Sequence, residues 1–205
     1  MGSPMATKKT TKPASKTKGK ARATAARTSS KRAPRALASG KRAPKVRIAG
    51  GPRVTPFLMF PNGCAEAVKL YTSTFKDGRI HHLGSMGKGP DGTELVNADF
   101  EVGGQRFTAM DGGPSFSFAQ GFSLFVGCAT QQEIDHFWKA FTANGGEAGR
   151  CGWLTDKWGV SWQIVPDHLG KMLGDRKSGN TAAAMQAMLQ MKKLDIKALE
   201  KAYRS

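Results

Sequence analysis

Three thiols, four imidazoles and fifteen carboxylates supply whatever acid–base, nucleophilic or metal chemistry this 205-residue chain can do. Cys64, Cys128 and Cys151 are widely spaced and form no CxxC pair, so neither a zinc site nor a disulfide framework is written here. Small thiols in apolar surroundings read as core filler in a reducing compartment. His81 and His82 are adjacent on a predicted strand, where successive side chains take opposite faces, so regular geometry forbids them one shared ion. His136 falls in a predicted helix and His168 follows Pro166, both read as surface positions. No Ser-His-Asp or Cys-His arrangement can be read from spacing. Asp111 ends a predicted strand directly before Gly112-Gly113-Pro114, where it either forms the turn or offers a carboxylate at a cavity rim.

The densest chemistry is phosphate binding. Residues 1–53 hold sixteen Lys or Arg and no Asp or Glu; all fifteen acidic residues come later, so nearly all of the +17 formal charge sits in this tail. Its bulky apolar residues are few (Met1, Met5, Leu37, Val46, Ile48), and Pro13, Pro34, Pro44 and Pro52 interrupt any helix. With no apolar face to bury, ordering its backbone has no compensation, and the tail is expected to be disordered. Its Ala-Lys-Pro composition resembles linker-histone tails. In the near-repeat Ser30–Arg35 and Gly40–Lys45, the residues Lys31, Arg32, Arg35, Lys41, Arg42 and Lys45 are the candidate contacts to DNA or RNA. Cations on phosphates release counterions and give affinity without sequence preference, and no interleaved aromatic offers a stacking platform. An organelle transit peptide and a solubilising tail are the competing readings. No stretch is long and apolar enough to span a membrane. A cytoplasmic protein is expected, nucleoid-associated if bacterial.

Residues 54–205 have the length of one domain with one core. Residues 54–60 read as a strand ended by Pro61-Asn62-Gly63, and Ala65, Val68, Tyr71 and Phe75 then recur at helical spacing. Strands follow at about 79–86, 94–101 and 105–111, the last two joined at Gly103-Gly104. The order repeats: a strand over 121–128, a capping box Thr130-Gln131-Gln132-Glu133, and a helix burying Ile134, Phe137, Trp138 and Phe141. Asn144-Gly145-Gly146 ends it, and strands at about 147–150, 152–156 and 161–165 complete the unit, Gly159 supplying the hairpin's positive φ. Helices over 167–173, 181–193 and 195–203 close the chain. The fold class is therefore α+β, a tandem βαβββ repeat with C-terminal helices.

The run Cys151 to Pro166 (CGWLTDKWGVSWQIVP) resembles the signature of PhnB-like proteins, a branch of the vicinal oxygen chelate superfamily that includes glyoxalase and bleomycin-resistance proteins. Asn62 with Ala65-Glu66-Ala67-Val68, Phe107 to Pro114, and Met185 to Ile196 carry the same likeness, which spans about 54–203 and not the tail. The resemblance implies paired modules closing into a half-barrel around a cavity, in a homodimer. In the superfamily's metalloenzymes, carboxylates and imidazoles on cavity-facing strands chelate a divalent ion. Here those positions fall on Thr55 or Phe57, on Gly121 or Ser123, and on Gln163, none of them a good ligand, so no metal and no cofactor are expected. Members are also described as 3-demethylubiquinone methyltransferase-like. A glycine-rich nucleotide loop on a parallel α/β sheet is missing from this sequence, so that description is discounted.

Strand alternation puts Gln163 on one face with Ser161 and Val165, and Trp162 and Ile164 on the other, towards the helices. Asp111 and Gln163 are the candidate ligand contacts, with Trp153 and Phe107 as an apolar wall; core packing is the competing reading for the tryptophans. The functional expectation is a small-molecule-binding protein or metal-independent enzyme whose basic tail binds nucleic acid. The alternatives are a nucleic-acid-associated protein whose body only dimerises, and a metal-dependent lyase or dioxygenase.

Overall fold

A computed structural model describes residues 54–119, 121–175 and 177–205. The tail and its six candidate phosphate contacts, Lys31, Arg32, Arg35, Lys41, Arg42 and Lys45, lie outside the described residues. The first module runs β1 (Phe57–Phe60), α1 (Cys64–Thr74), β2 (Arg79–Lys88), β3 (Glu94–Val102) and β4 (Gln105–Asp111). The second runs β5 (Leu124–Cys128), α2 (Gln131–Thr142), β6 (Glu147–Ala148), β7 (Trp153–Thr155) and β8 (Ser161–Pro166). Helices α3 (Leu169–Gly174), α4 (Thr181–Gln190) and α5 (Ile196–Tyr203) follow. The sheets are ordered β1-β4-β3-β2 and β5-β8-β7-β6, the same arrangement twice, with only the first strand of each parallel to its neighbour. They are separate ladders, not a closed barrel.

Local chemistry accounts for the elements. At the start of α2, Thr130 Oγ1 accepts from the Glu133 amide while the Glu133 carboxylate accepts from the Thr130 amide; such a cap contributes about 1 kcal/mol. Gly103 and Gly104 both have positive φ, as a two-residue hairpin turn requires, and the Asp77 carboxylate holds both of their amides. Helix α4 stops at Gln190, short of the expected 193, because Met191 turns extended and the Met191 and Lys192 carbonyls accept from the Cys151 and Gly152 amides instead. In α1 the buried stripe is Cys64, Ala67, Val68, Tyr71 and Thr74, centred beside the expected one, with Ala65 only half-buried.

The helix-facing sides of both sheets share one core. Phe60, Phe100, Tyr71, Ile134, Phe141, Trp162 and Ile164 are all fully buried in it. Tyr71 touches Trp162 edge-on at 5.1 Å and Phe141 stacks on Trp162 at 4.2 Å, so α1 and α2 join the modules through aromatic rings. A smaller cluster of Leu169, Met172, Ala184, Leu194 and Leu199 forms around Val165, docking the C-terminal helices at the end of β8. Gln131 fastens them from α2: its Nε2 donates to the Leu194 carbonyl and its Oε1 accepts from the Ile196 amide.

Candidate functional site

Alternation along β8 separates two environments. Trp162 and Ile164 are buried against the helices, and Gln163 emerges half-exposed on the opposite face. Register places Phe125 of β5 on one side of Gln163 and Trp153 of β7 on the other. Directly paired residues share a face, and both rings are open to solvent, Phe125 at 62% and Trp153 at 38% exposure. The Gln163 Nε2 donates to Ser123 Oγ at 2.8 Å, which restrains the amide on this platform. Its second N–H and its carbonyl oxygen have no partner among the described residues, and the Ser123 hydroxyl keeps its proton to donate. Thr155, Ser161 and Val165 on this face are uncharged, and Glu147, paired with Thr155 across the β6–β7 ladder, places a carboxylate at its edge.

Of the expected contacts, Gln163 and Trp153 come together here, while Phe107 and Asp111 lie elsewhere. Phe107 is on the core side of β4, buried and stacked on Phe100 at 5.2 Å. The Asp111 carboxylate is 5% exposed; one oxygen accepts from the Cys64 amide at the start of α1 and the other from the Val96 amide. It ties α1 to β3 and β4 and is not on a cavity rim.

Phe107 instead borders a crevice of ≈1010 Å³ between the β3–β4 hairpin, the end of α1, β5 and the start of α2. Trp162 on the helix side of β8 lines it, and so do Phe125 and Gly127 on the Gln163 side of β5, so the crevice reaches round the free edge of β5. Several polar groups around the crevice are used by the fold, while the Lys76 and Gln132 side chains at its mouth are exposed and have no partner among the described residues. Asp77 braces the hairpin, Glu133 and Thr130 cap α2, and His136 Nε2 bonds the Thr74 carbonyl at 2.9 Å.

A charged group occupies the outer face of the first sheet. A register shift between Ile80 and His82 breaks the alternation expected for the two histidines. His81 Nε2 lies 3.3 Å from Glu101 and His82 Nε2 lies 3.2 Å from the Asn97 oxygen, two residues on the same face of β3. The bulge thus brings both rings to one side, contrary to regular strand geometry. Between them Asp99 receives two hydrogen bonds from Arg106, which, with the nearby histidines, hold its carboxyl below the usual range. No three His, Cys, Asp or Glu side chains among the described residues are close enough to share an ion.

By local pattern Asp156 belongs to the hairpin turn before Gly159. It is buried, and its carboxylate accepts from the Tyr71 hydroxyl at 2.6 Å, Trp162 Nε1 at 2.9 Å, and the Trp158 and Val160 amides at 3.0 Å. Burial pushes this carboxyl above its ordinary value while the four hydrogen bonds pull it back. Tyr71 is pushed well up by burial and by the adjacent carboxylate. The signal was present: an acid amid Leu154, Trp158, Val160 and Trp162 has few places to go except inward. Phe125 was hidden for the opposite reason, because the continuous apolar run Leu124-Phe125-Val126 does not announce which residue faces out.

The metal positions implied by the superfamily do not fit a divalent ion. Gln163 turns an N–H, not an oxygen, towards Ser123, and the remaining donors are neutral hydroxyls or aromatic rings. Among the described residues no helix is long and apolar enough to cross a membrane.

Residues 52–165 match the family model described as 3-demethylubiquinone-9 3-methyltransferase. Among solved structures, the PhnB protein of Bacillus cereus is 32% identical over 56% of this chain and 99% of its own, with a TM-score of 0.49. A protein of Pseudomonas aeruginosa is 22% identical over 57% of this chain and 98% of its own, with a TM-score of 0.49. The fosfomycin resistance protein FosX of Listeria monocytogenes, solved with Mn(II) and sulfate, is 12% identical over 58% of this chain and 92% of its own, with a TM-score of 0.40. No curated protein matches. With more than half of its length matched by one family model, this chain belongs to the PhnB-like 3-demethylubiquinone-9 3-methyltransferase family.

Proposed function

We propose that the folded body is a small-molecule-binding domain whose site is floored by the outer face of β5, β8 and β7 and works without a metal ion. The observation that carries this is the Gln163–Ser123 hydrogen bond: a fixed amide with spare donor and acceptor capacity, flanked by exposed Phe125 and Trp153. A few placed polar groups among apolar walls are what small-molecule sites need. Methyl transfer, which the family's description names, has less support from the fold. The strand-to-helix turns Pro61-Asn62-Gly63 and Ala129-Thr130 hold one glycine between them, too few for a phosphate-cradling loop. The test is native mass spectrometry of the full chain and of Gln163→Leu. A small molecule retained by the wild type and lost from the variant supports the platform. Equal retention by both moves the ligand elsewhere.

A second reading is favoured by the sixteen uncompensated cations of residues 1–53. They are proposed to bind DNA or RNA without sequence preference, through Lys31, Arg32, Arg35, Lys41, Arg42 and Lys45 among others. If half of them contact phosphates at once, log K against log salt falls with a slope of about −7 on duplex DNA. Anisotropy titrations at several salt concentrations, with and without residues 1–53, test it. A slope near zero, or equal binding by the shortened chain, refutes it.

A further inference from the structure

From the same platform, and resting on the reading just given, we infer the chemical class of its ligand: a planar, uncharged ring system with adjacent hydrogen-bond donor and acceptor, held between Phe125 and Trp153 over Gln163. Phe125 and Trp153 pair with Gln163 from the strands on its two sides. Strands are spaced by about 4.8 Å, so the two aromatic residues stand roughly 10 Å apart at the backbone. A ring stacked between two others needs about 3.5 Å on each side, so this spacing admits one ring. Both side chains are substantially exposed, and Phe125 has no packing partner in the core to explain its position. The floor matches such a guest. Gln163 spends one N–H on Ser123 and keeps one N–H and a carbonyl oxygen, the complement of a lactam edge.

Charge excludes the obvious competitors. Ser123, Thr155, Ser161, Gln163 and Val165 are all neutral, and the charged groups at the rim of this face are the carboxylates of Glu147, opposite Thr155, and Asp167, beside Gly127, so a carboxylate or phosphate would lose its hydration with no cation among these groups to replace it. The Asp99–Arg106 ion pair, and Glu101 beside His81, belong to the first sheet. A saturated ring of the same polarity would keep the Gln163 contacts and lose the stacking.

The experiment compares three probes on the full chain by calorimetry: 2-quinolone, its charged analogue quinoline-2-carboxylate, and the non-aromatic lactam 2-piperidone. 2-Quinolone is expected to bind tighter than either of the others by about tenfold or more. Phe125→Ala and Trp153→Ala should each weaken it by about tenfold, as the loss of one stacked ring does elsewhere. Phe125→Tyr, which keeps the ring, should restore it. Both positions are solvent-exposed, and circular dichroism confirms that the variants fold. Undetectable 2-quinolone binding at millimolar concentration, or binding indifferent to both alanines, overturns the aromatic slot. If quinoline-2-carboxylate or 2-piperidone binds as well and still depends on Gln163, the slot falls while the platform stands. If all binding survives Gln163→Leu unchanged, the platform falls with it.

Discussion

Removing the Asp156 carboxylate should be among the most damaging single changes to this fold. The side chain is 3% exposed and joins three elements: Tyr71 on α1, Trp162 on β8, and the hairpin amides of Trp158 and Val160. In Asp156→Ala all four donors lose their acceptor, and the Tyr71, Trp162 and Val160 groups are too buried for bulk water to replace it. An orphaned buried donor costs about 1–3 kcal/mol, so three cost roughly 3–9 kcal/mol. Two effects offset part of that: a buried charge no longer needs desolvating, and one water can enter the space the carboxylate leaves. The net loss is expected at about 3–5 kcal/mol, a third or more of the stability of an ordinary domain.

Tyr71→Phe sets the scale. It removes one donor and leaves the carboxylate three, so about 1.5–3 kcal/mol is expected. The double variant should cost clearly less than the sum of the two, by at least about 1 kcal/mol, because the residues share one hydrogen bond. Urea unfolding followed by tryptophan fluorescence measures all three, with linear extrapolation at constant m. A loss below about 1 kcal/mol for Asp156→Ala, or full additivity with Tyr71→Phe, would show that the carboxylate does not tie the modules together.

Because burial raises the Asp156 carboxyl above its ordinary value of 3.8, the folded state holds that proton more tightly than the unfolded chain does. Its contribution to stability is therefore full below 3.8 and lost as pH rises through the raised value; the stability gap between wild type and Asp156→Asn should narrow over that range, and a widening gap would contradict it. Burial pushes the Cys64 and Cys128 thiols up to about 12, so at pH 8 in the folded protein Ellman's reagent should modify half-buried Cys151 and spare the other two, all three reacting in denaturant. Three equally fast thiols in the folded state would refute the burial argument. Strands β1 and β5 each pair on one side only, and Leu189 is 41% exposed beside half-buried Met185 and Met188, so a homodimer covering these features is expected at micromolar concentration. Sedimentation of the full chain as a monomer throughout would count against it.

The tandem fold was legible because each element carries its own local instruction. The capping box at Thr130, the double glycine at 103–104 and the helical spacing in 131–142 act over a few residues, and nothing distant overrides them. Periodicity over-extends helix α4 for the converse reason: its end is set by the amides of Cys151 and Gly152, forty residues away in sequence and invisible to local pattern. The same division runs through the candidate site. Alternation alone puts Gln163 opposite Trp162, but the identity of its neighbours depends on register, which pairs it with Phe125 and Trp153 from two other strands. Asp111 shows how position can mislead. A carboxylate before a glycine turn satisfies every local criterion for an exposed group, yet the first amide of α1 and the Val96 amide both need an acceptor at that point, and an unmet buried N–H costs more than a turn's exposed carboxylate returns. Acids at strand ends near a helix start should therefore be read first as caps. The uncharged Gln163, with no backbone amide to serve and an aromatic on each side, spends a single N–H on the fold, through Ser123, and keeps the rest of its amide open on that face.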